Sequence, residues 1–246
     1  MPTTTIRIPT TGSPTTGSPP ELRAHLAVPP VGSGPWPGVV VLHELFGLTN
    51  DTRQQADRLA AAGYLALAPD LFSRGGGAVR CLRSTFASLA SGTGPVYDDI
   101  EASRRFLTER ADATGRVGVI GFCLGGGFAL MTASRGFQAS APNYGPLPRD
   151  LQAVLRGACP VVASYGARDR GLRGAAAALQ DALEGAGVTY DVKEYADAGH
   201  SFLNRHNAGP FSVLEKVAGL NYHEPSAEDA WSRILRFFDT HLRTAD

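Results

Sequence analysis

The positions of apolar residues along the chain predict alternating strands and helices. Continuous apolar runs, typical of strands buried on both faces of a parallel sheet, cover residues 38–43, 64–68 and 160–165, and weaker strand patterns cover 139–144 and 190–195. Helical spacing predicts helices from Asn50 or Asp51 to residue 62, ended by Gly63, and over 96–110, 175–184 and 226–242. This order predicts an α/β fold, with a mostly parallel twisted sheet and helices on both faces.

Two further segments complete the predicted architecture. Residues 3–8 and 22–28 alternate polar and apolar positions, which predicts an N-terminal antiparallel hairpin joined by the low-complexity TTGSP repeat, a flexible connector. Residues 73–95 lack a strand pattern and predict a partly helical, lid-like excursion over the sheet. We expect one domain over residues 1–246.

Composition narrows the classes of function. The 246 residues carry a formal net charge of zero and no basic block, which argues against a nucleic-acid or membrane partner. Cys81, Cys123 and Cys159 are odd in number and far apart, so neither a disulfide framework nor a zinc site of the C-x-x-C type is expected. We expect a protein of the reducing cytoplasm, monomeric or a small homo-oligomer, with neither export signal nor membrane span.

The segment RVGVIGFCLGGGFALM, residues 116–131, predicts a strand, a sharp turn and a helix, with Cys123 at the turn. Gly121 and Gly125 flank Cys123 at the spacing of the G-x-S-x-G nucleophile elbow. The following helix favours a thiolate, and the N–H of Leu124 is placed to bind an oxyanion. A buried structural cysteine is the alternative. A dinucleotide loop is rejected because Phe122 and Cys123 occupy positions that need glycine.

Two other strand ends supply partners for this cysteine. Asp169 follows the run 160–165, and His200 follows the run 190–195 in a tight Ala-Gly turn. The chain order of nucleophile, Asp and His is that of the α/β-hydrolase fold. Asp169 as a turn former and His200 as a loop histidine are the structural alternatives, but three matched placements favour a catalytic triad.

Glu44 follows the strand 38–43 in the segment HELFG. The loop after this strand normally supplies the second N–H of an oxyanion hole, here that of Leu45. A zinc protease motif is rejected because no second histidine has the required helical spacing. Nucleophilic hydrolysis by a cysteine needs no metal or organic cofactor, and none is expected. A buried structural carboxylate is the alternative for Glu44.

These motifs resemble the dienelactone hydrolases, the carboxymethylenebutenolidase family. The resemblance rests on HELFG, GFCLGG, GARD and AGHSF and extends to the final helix. It implies a hydrolase of small esters or lactones, with Cys123 as nucleophile, His200 as base, Asp169 as its orienting group, and a thioester acyl-enzyme. It also implies that Glu44 holds the resting thiol.

The expected substrate contacts depart from the family pattern. The family arginine four residues after the catalytic histidine is replaced by Asn204, and Arg205 follows it. Arg80 and Arg83 of the lid are further candidates for binding a substrate carboxylate. The apolar candidates for substrate contact are Phe46 and Phe202.

Two other functions compete with this interpretation. A cysteine-dependent amidase also uses G-x-C-x-G, but it needs a Glu just after its His, where this chain has Ser201 and Phe202. A non-catalytic ligand-binding protein could use the same fold.

Overall fold

The computed structural model describes residues 3–10, 21–73, 78–205 and 221–243, with the backbone alone for 78–82. Most of the TTGSP connector lies outside the described residues. The chain forms two compact units, Met1–Ile120 and Gly121–Asp246. The division falls inside one strand, and the expectation of a single domain stays a prediction.

The first unit begins with the expected antiparallel hairpin. Its first two strands pair antiparallel, the second also pairs antiparallel with the fourth, and the third and fourth pair parallel. Their order is β1-β2-β4-β3-β5. The strands are β1 (Thr3–Pro9), β2 (Glu21–Ala27), β3 (Trp36–Leu42), β4 (Leu65–Pro69) and β5 (Ala113–Phe122).

Three helices belong to this unit: α1 (Asn50–Ala61), α2 (Ala78–Ser91) and α3 (Pro95–Thr108). The predicted N-cap of α1 was wrong by one or two residues. Thr49 has extended backbone and its hydroxyl accepts from the N–H of Thr52 at 3.3 Å, whereas Asn50 is already helical. Gly63, with φ of +89°, follows the helix as expected. The fourteen residues of α2 account for the predicted helical part of the excursion.

In the second unit, three parallel strands stand in the order β6-β7-β8. The final helix begins two residues before the predicted start because Pro225 is accommodated in its first turn. The elements are α4 (Leu124–Met131), β6 (Ala139–Asn143), α5 (Leu151–Leu155), β7 (Val161–Gly166), a 3-10 helix (Arg170–Leu172), α6 (Ala175–Gly185), β8 (Tyr190–Tyr195) and α7 (Glu224–Leu242).

A buried arginine ties α7 to the strands whose ends carry the candidate site. Arg233 is 6% exposed and donates to both carboxylate oxygens of Asp191, at 2.7 and 3.0 Å. It also donates to Ser164 Oγ at 3.3 Å and to the Tyr195 hydroxyl at 3.1 Å. The guanidinium therefore fixes α7 against β7 and β8. No helix in the described ranges is long and apolar enough to cross a bilayer.

Candidate active site

Cys123 occupies the sharp turn between β5 and α4. Its backbone has φ of 51° and ψ of −117°, a conformation that L-residues rarely adopt and that costs free energy. Two hydrogen bonds hold it there: Cys123 N–H donates to the Asn143 carbonyl at 3.1 Å, and the Cys123 carbonyl accepts from Gly127 N–H at 3.1 Å. The strand, turn and helix predicted from the sequence are confirmed.

The turn requires glycine at position 121. A Cβ atom there would lie 2.0 Å from the Gly125 carbonyl oxygen, far inside any van der Waals contact. The end of β5 therefore packs directly on the first turn of α4, as the spacing predicted for this glycine.

Asp169 and His200 lie together at the ends of β7 and β8. His200 Nδ1 and Asp169 Oδ2 are 2.5 Å apart, and Asp169 Oδ1 accepts from Gly171 N–H at 2.9 Å. Gly166 lets the histidine loop approach β7, because a Cβ atom there would lie 2.5 Å from the Ala198 carbonyl oxygen. Since an ionised carboxylate only accepts, Nδ1 carries a proton that it donates to Asp169.

Cys123 also lies close enough to His200 for its sulfur to raise the pKa of the imidazole. Burial opposes a charged imidazolium, but the hydrogen bonds to Asp169 and Cys123 outweigh it and raise the pKa of His200 to about 10. Burial opposes the charged form of Asp169 as well and by itself would raise its pKa, but the His200 contact and the N–H groups of Gly171 and Leu172 lower it. His200 therefore interacts with both Asp169 and Cys123, the two residues predicted as its partners.

In the first unit, the loop after β3 carries Glu44, Leu45 and Phe46. Glu44 is buried, Leu45 is half-buried, and Phe46 is 58% exposed. The Glu44 carbonyl accepts from His43 Nδ1 at 2.6 Å and from Gly47 N–H at 3.2 Å. The backbone of this loop is therefore held by its own residues.

Comparison with known proteins assigns the chain to a family. The model of the dienelactone hydrolase family matches residues 22–242. The chain belongs to the dienelactone hydrolase family. This membership confirms the α/β-hydrolase fold and the prediction of an ester or lactone hydrolase.

Individual relatives of this dienelactone hydrolase family member support the same assignment. A protein of Methylorubrum extorquens, provisionally named a carboxymethylenebutenolidase, is 30% identical over 88% of this chain and 76% of its own. The carboxymethylenebutenolidase of Pseudomonas putida is 29% identical over 71% of this chain and 78% of its own. A crystal structure from Klebsiella pneumoniae, provisionally named a dienelactone hydrolase, has a TM-score of 0.76 at 25% identity and covers 97% of this chain and 99% of its own.

The sequence did not predict a role for two residues near the Cys123 turn and His200, which are Asn143 and Tyr144. Asn143 ends β6, is fully buried, and donates from Nδ2 to the Gly121 carbonyl at 3.2 Å. Tyr144 follows it with φ of 39°, and its ring centroid lies 5.2 Å from that of His200. The only available signal was their position after a weak strand pattern, which gives no indication of contact with the elbow.

The loop after His200 contains a strained residue and is held by a side-chain hydrogen bond. Ser201 has φ of 58°, so the non-glycine residues with positive φ in the described ranges are Cys123, Tyr144 and Ser201. The Tyr144 hydroxyl is hydrogen-bonded to Asn204 Oδ1. Strained backbone is therefore concentrated at Cys123 and around the His200 imidazole, as is typical of functional sites.

The residues predicted to contact the substrate differ in how exposed they are. Phe202 is fully buried against Tyr144 and Tyr195, so it offers no exposed surface to a substrate in this structure. Arg205 is exposed, lies 4.3 Å from the ring centroid of Tyr222 and donates to its hydroxyl at 3.0 Å.

The remaining arginine candidates lie on α2. Arg83 is exposed there, and the side chain of Arg80 lies outside the described residues. Within the described ranges, no three His, Cys, Asp or Glu side chains are grouped so as to hold a metal ion.

Proposed function

We propose that this protein hydrolyses small esters or lactones by nucleophilic catalysis. The Cys123 sulfur attacks the carbonyl carbon, a C–S bond forms, and the carbonyl electron pair moves to oxygen. As that pair returns, the C–O bond to the leaving alcohol breaks and His200 protonates the departing oxygen. His200 then takes a proton from water, which attacks the thioester and releases the acid and the thiol.

The observation that carries this proposal is the contact of His200 Nδ1 with Asp169 Oδ2 at 2.5 Å, on an imidazole whose pKa is also raised by the nearby Cys123 sulfur. An imidazole held in this way is oriented by the carboxylate and can exchange a proton with the sulfur. Its raised pKa keeps a cation beside the sulfur at neutral pH, which favours the nucleophilic thiolate.

We assign the oxyanion hole to the backbone N–H groups of Leu45 and Leu124. Leu124 is the first residue of α4, and the first N–H groups of a helix have no partner within it. Each such donor contributes about 3 to 4 kcal/mol to transition-state stabilisation. Glu44 serves, in this proposal, to restrain the charge on sulfur until a substrate is bound.

For substrate choice, we propose a small ester or lactone, with dienelactone itself one candidate. An arginine among Arg80, Arg83 and Arg205 would bind a substrate carboxylate by charge-assisted hydrogen bonds. The test replaces each of these three arginines singly by glutamine. Each variant is then assayed on lactones and esters with and without a carboxylate, to find which arginine binds that group. Loss confined to carboxylate-bearing substrates is the expected result, and equal loss on all substrates would exclude that arginine as the carboxylate site.

The central test is hydrolysis of p-nitrophenyl acetate by Cys123→Ala. We expect the triad-dependent rate to disappear, together with the alkylation of position 123 by iodoacetamide. Cys159→Ala is the matched control, because burial raises the pKa of the Cys159 thiol to about 12 and leaves it unreactive. Full hydrolysis by Cys123→Ala would overturn the proposal, and an unreactive Cys123 in the parent would favour a non-catalytic binder.

A further inference from the structure

His43 is buried at the end of β3 and bonds to two backbone segments. It is 2% exposed, and its ring packs edge-on against Phe72 with centroids 4.8 Å apart. Nδ1 lies 2.6 Å from the Glu44 carbonyl oxygen, and Nε2 lies 3.1 Å from the backbone nitrogen of Leu71. The imidazole therefore joins the loop after β3 to the loop after β4.

These two partners determine which nitrogen of His43 carries the proton. The Leu71 N–H can only donate, so Nε2 must accept and is unprotonated. The Glu44 carbonyl can only accept, so Nδ1 must carry the hydrogen that it donates. Burial lowers the pKa of His43, against smaller opposing contributions from the Glu44 carbonyl and the charge of Asp70, which keeps the ring neutral.

The Glu44 carbonyl also accepts from the Gly47 N–H at 3.2 Å. Two donors thus fix the direction of this carbonyl group. In a trans peptide the C=O of one residue and the N–H of the next lie in one plane and point in opposite directions. Fixing the Glu44 carbonyl therefore fixes the Leu45 N–H.

We infer that His43 is a positioning residue, whose Nδ1–H orients the Glu44–Leu45 peptide so that the Leu45 N–H is preorganised as an oxyanion donor. The inference rests on the proposed function of Leu45. A donor that is already aligned needs no reorganisation when charge develops on the substrate oxygen, which is why such groups lower the barrier. His43 consequently acts on the chemical step and not on substrate binding.

The test compares two amide variants that each retain one of the two contacts. In His43→Asn, the side-chain N–H₂ takes the place of Nδ1–H and keeps the donor to Glu44. In His43→Gln, the longer side chain carries its amide near the Nε2 position, where its oxygen accepts from Leu71 and the donor to Glu44 is lost.

The readouts are kcat and KM for p-nitrophenyl acetate and the rate of Cys123 alkylation by iodoacetamide. Alkylation forms no oxyanion, so it reports on the sulfur and its partners alone. We expect His43→Gln to lose kcat by up to about 100-fold, the lower end of the loss seen when a donor is removed, with KM and alkylation unchanged. We expect His43→Asn to retain most of kcat.

Equal loss of kcat in both variants, a parallel fall in alkylation, or full activity of His43→Gln would overturn the inference. A measurement on the unmodified protein covers the case in which a variant does not fold. The ¹⁵N spectrum of His43 must show a protonated Nδ1 and an unprotonated Nε2, and the opposite tautomer would also overturn it. Hydrolysis by Cys123→Ala would instead refute the proposed function and leave the His43 tautomer untouched.

Discussion

At the scale of single residues, the protonation of His200 is strongly altered by its surroundings. Its pKa is raised from 6.5 to about 10, although burial opposes the charged form, because Asp169 and Cys123 both favour the imidazolium. A raised folded-state pKa adds stability that is complete below about pH 6.5 and is lost as the pH rises through about 10. The surroundings of His200 therefore favour the imidazolium over the neutral imidazole.

This assignment is tested by following the His200 ring nitrogens by ¹⁵N NMR between pH 5 and 11. We expect deprotonation near pH 10 in the parent protein. In Cys123→Ala it moves to lower pH, because the hydrogen bond and the charge of the sulfur are both removed while burial remains. A His200 titration that is identical in both proteins would contradict the assignment.

The proposed restraint on sulfur by Glu44 gives a second prediction. If Glu44 restrains the sulfur as proposed, removal of its carboxylate charge makes the thiolate less costly, so we expect Glu44→Gln to react faster with iodoacetamide at neutral pH than the parent does. The measurement is the alkylation rate against pH for the two proteins. Asp51→Asn, which removes an acidic group from the first turn of α1, is the control for a change in net charge. Superimposable profiles of parent and Glu44→Gln would count against the role of Glu44.

The pairing of Asp169 with His200 was predictable from the sequence, whereas the side chains that support it were not. Asp169 and His200 follow strands with clear apolar patterns, and parallel strands bring their carboxyl ends to one edge. Tyr144 and Asn143 act through a ring contact and an amide hydrogen bond that depend on three-dimensional packing. The contacts of His43 were likewise not predictable, because a sequence does not reveal which carbonyl an imidazole contacts.

At the scale of elements, the junction of β5 and α4 depends on Gly121. We predict that Gly121→Ala is destabilised by about 1 to 3 kcal/mol or more, since its Cβ would lie 2.0 Å from the Gly125 carbonyl oxygen and would separate the two elements. Urea unfolding and iodoacetamide alkylation measure the effect, and both stability and alkylation rate should fall.

Gly185→Ala is the matched control for that change. Gly185 ends α6, and the nearest atom to an added Cβ would be Gln152 Nε2 at 3.6 Å, an ordinary contact. We expect it to be neutral or to stabilise by up to about 1 kcal/mol, because alanine favours helix more than glycine does. Similar losses in both variants would show that close packing at the elbow is not the cause.

The elements differ in how well the apolar pattern defined them. Strand β8 was predicted with its observed bounds, since Tyr190–Tyr195 is closed at both ends by turn residues. The N-cap of α1 was misplaced because Thr49, Asn50 and Asp51 are all good capping residues, and only the backbone angles distinguish them. The short helix Leu151–Leu155 went unpredicted, since five residues are too few to show helical periodicity.

At the scale of the whole molecule, the two compact units divide the chain within β5. A strand is stabilised by continuous pairing along its length, so a division inside it gives no natural point at which one unit can unfold alone. We propose that the chain unfolds as a single cooperative domain, as its length of 246 residues also favours.

The two tryptophans make this testable, because Trp36 lies in the first unit and Trp231 in the second. In Trp36→Phe and Trp231→Phe, the remaining tryptophan reports on one unit, while far-ultraviolet circular dichroism reports on both. We expect the fluorescence and dichroism curves of each variant to coincide in urea, since coincident probes are the signature of two-state unfolding. The comparison is made within one variant, so any loss of stability from the substitution cancels. Curves that separate, with the fluorescence midpoint below the dichroism midpoint in one variant and above it in the other, would instead establish two independently unfolding domains.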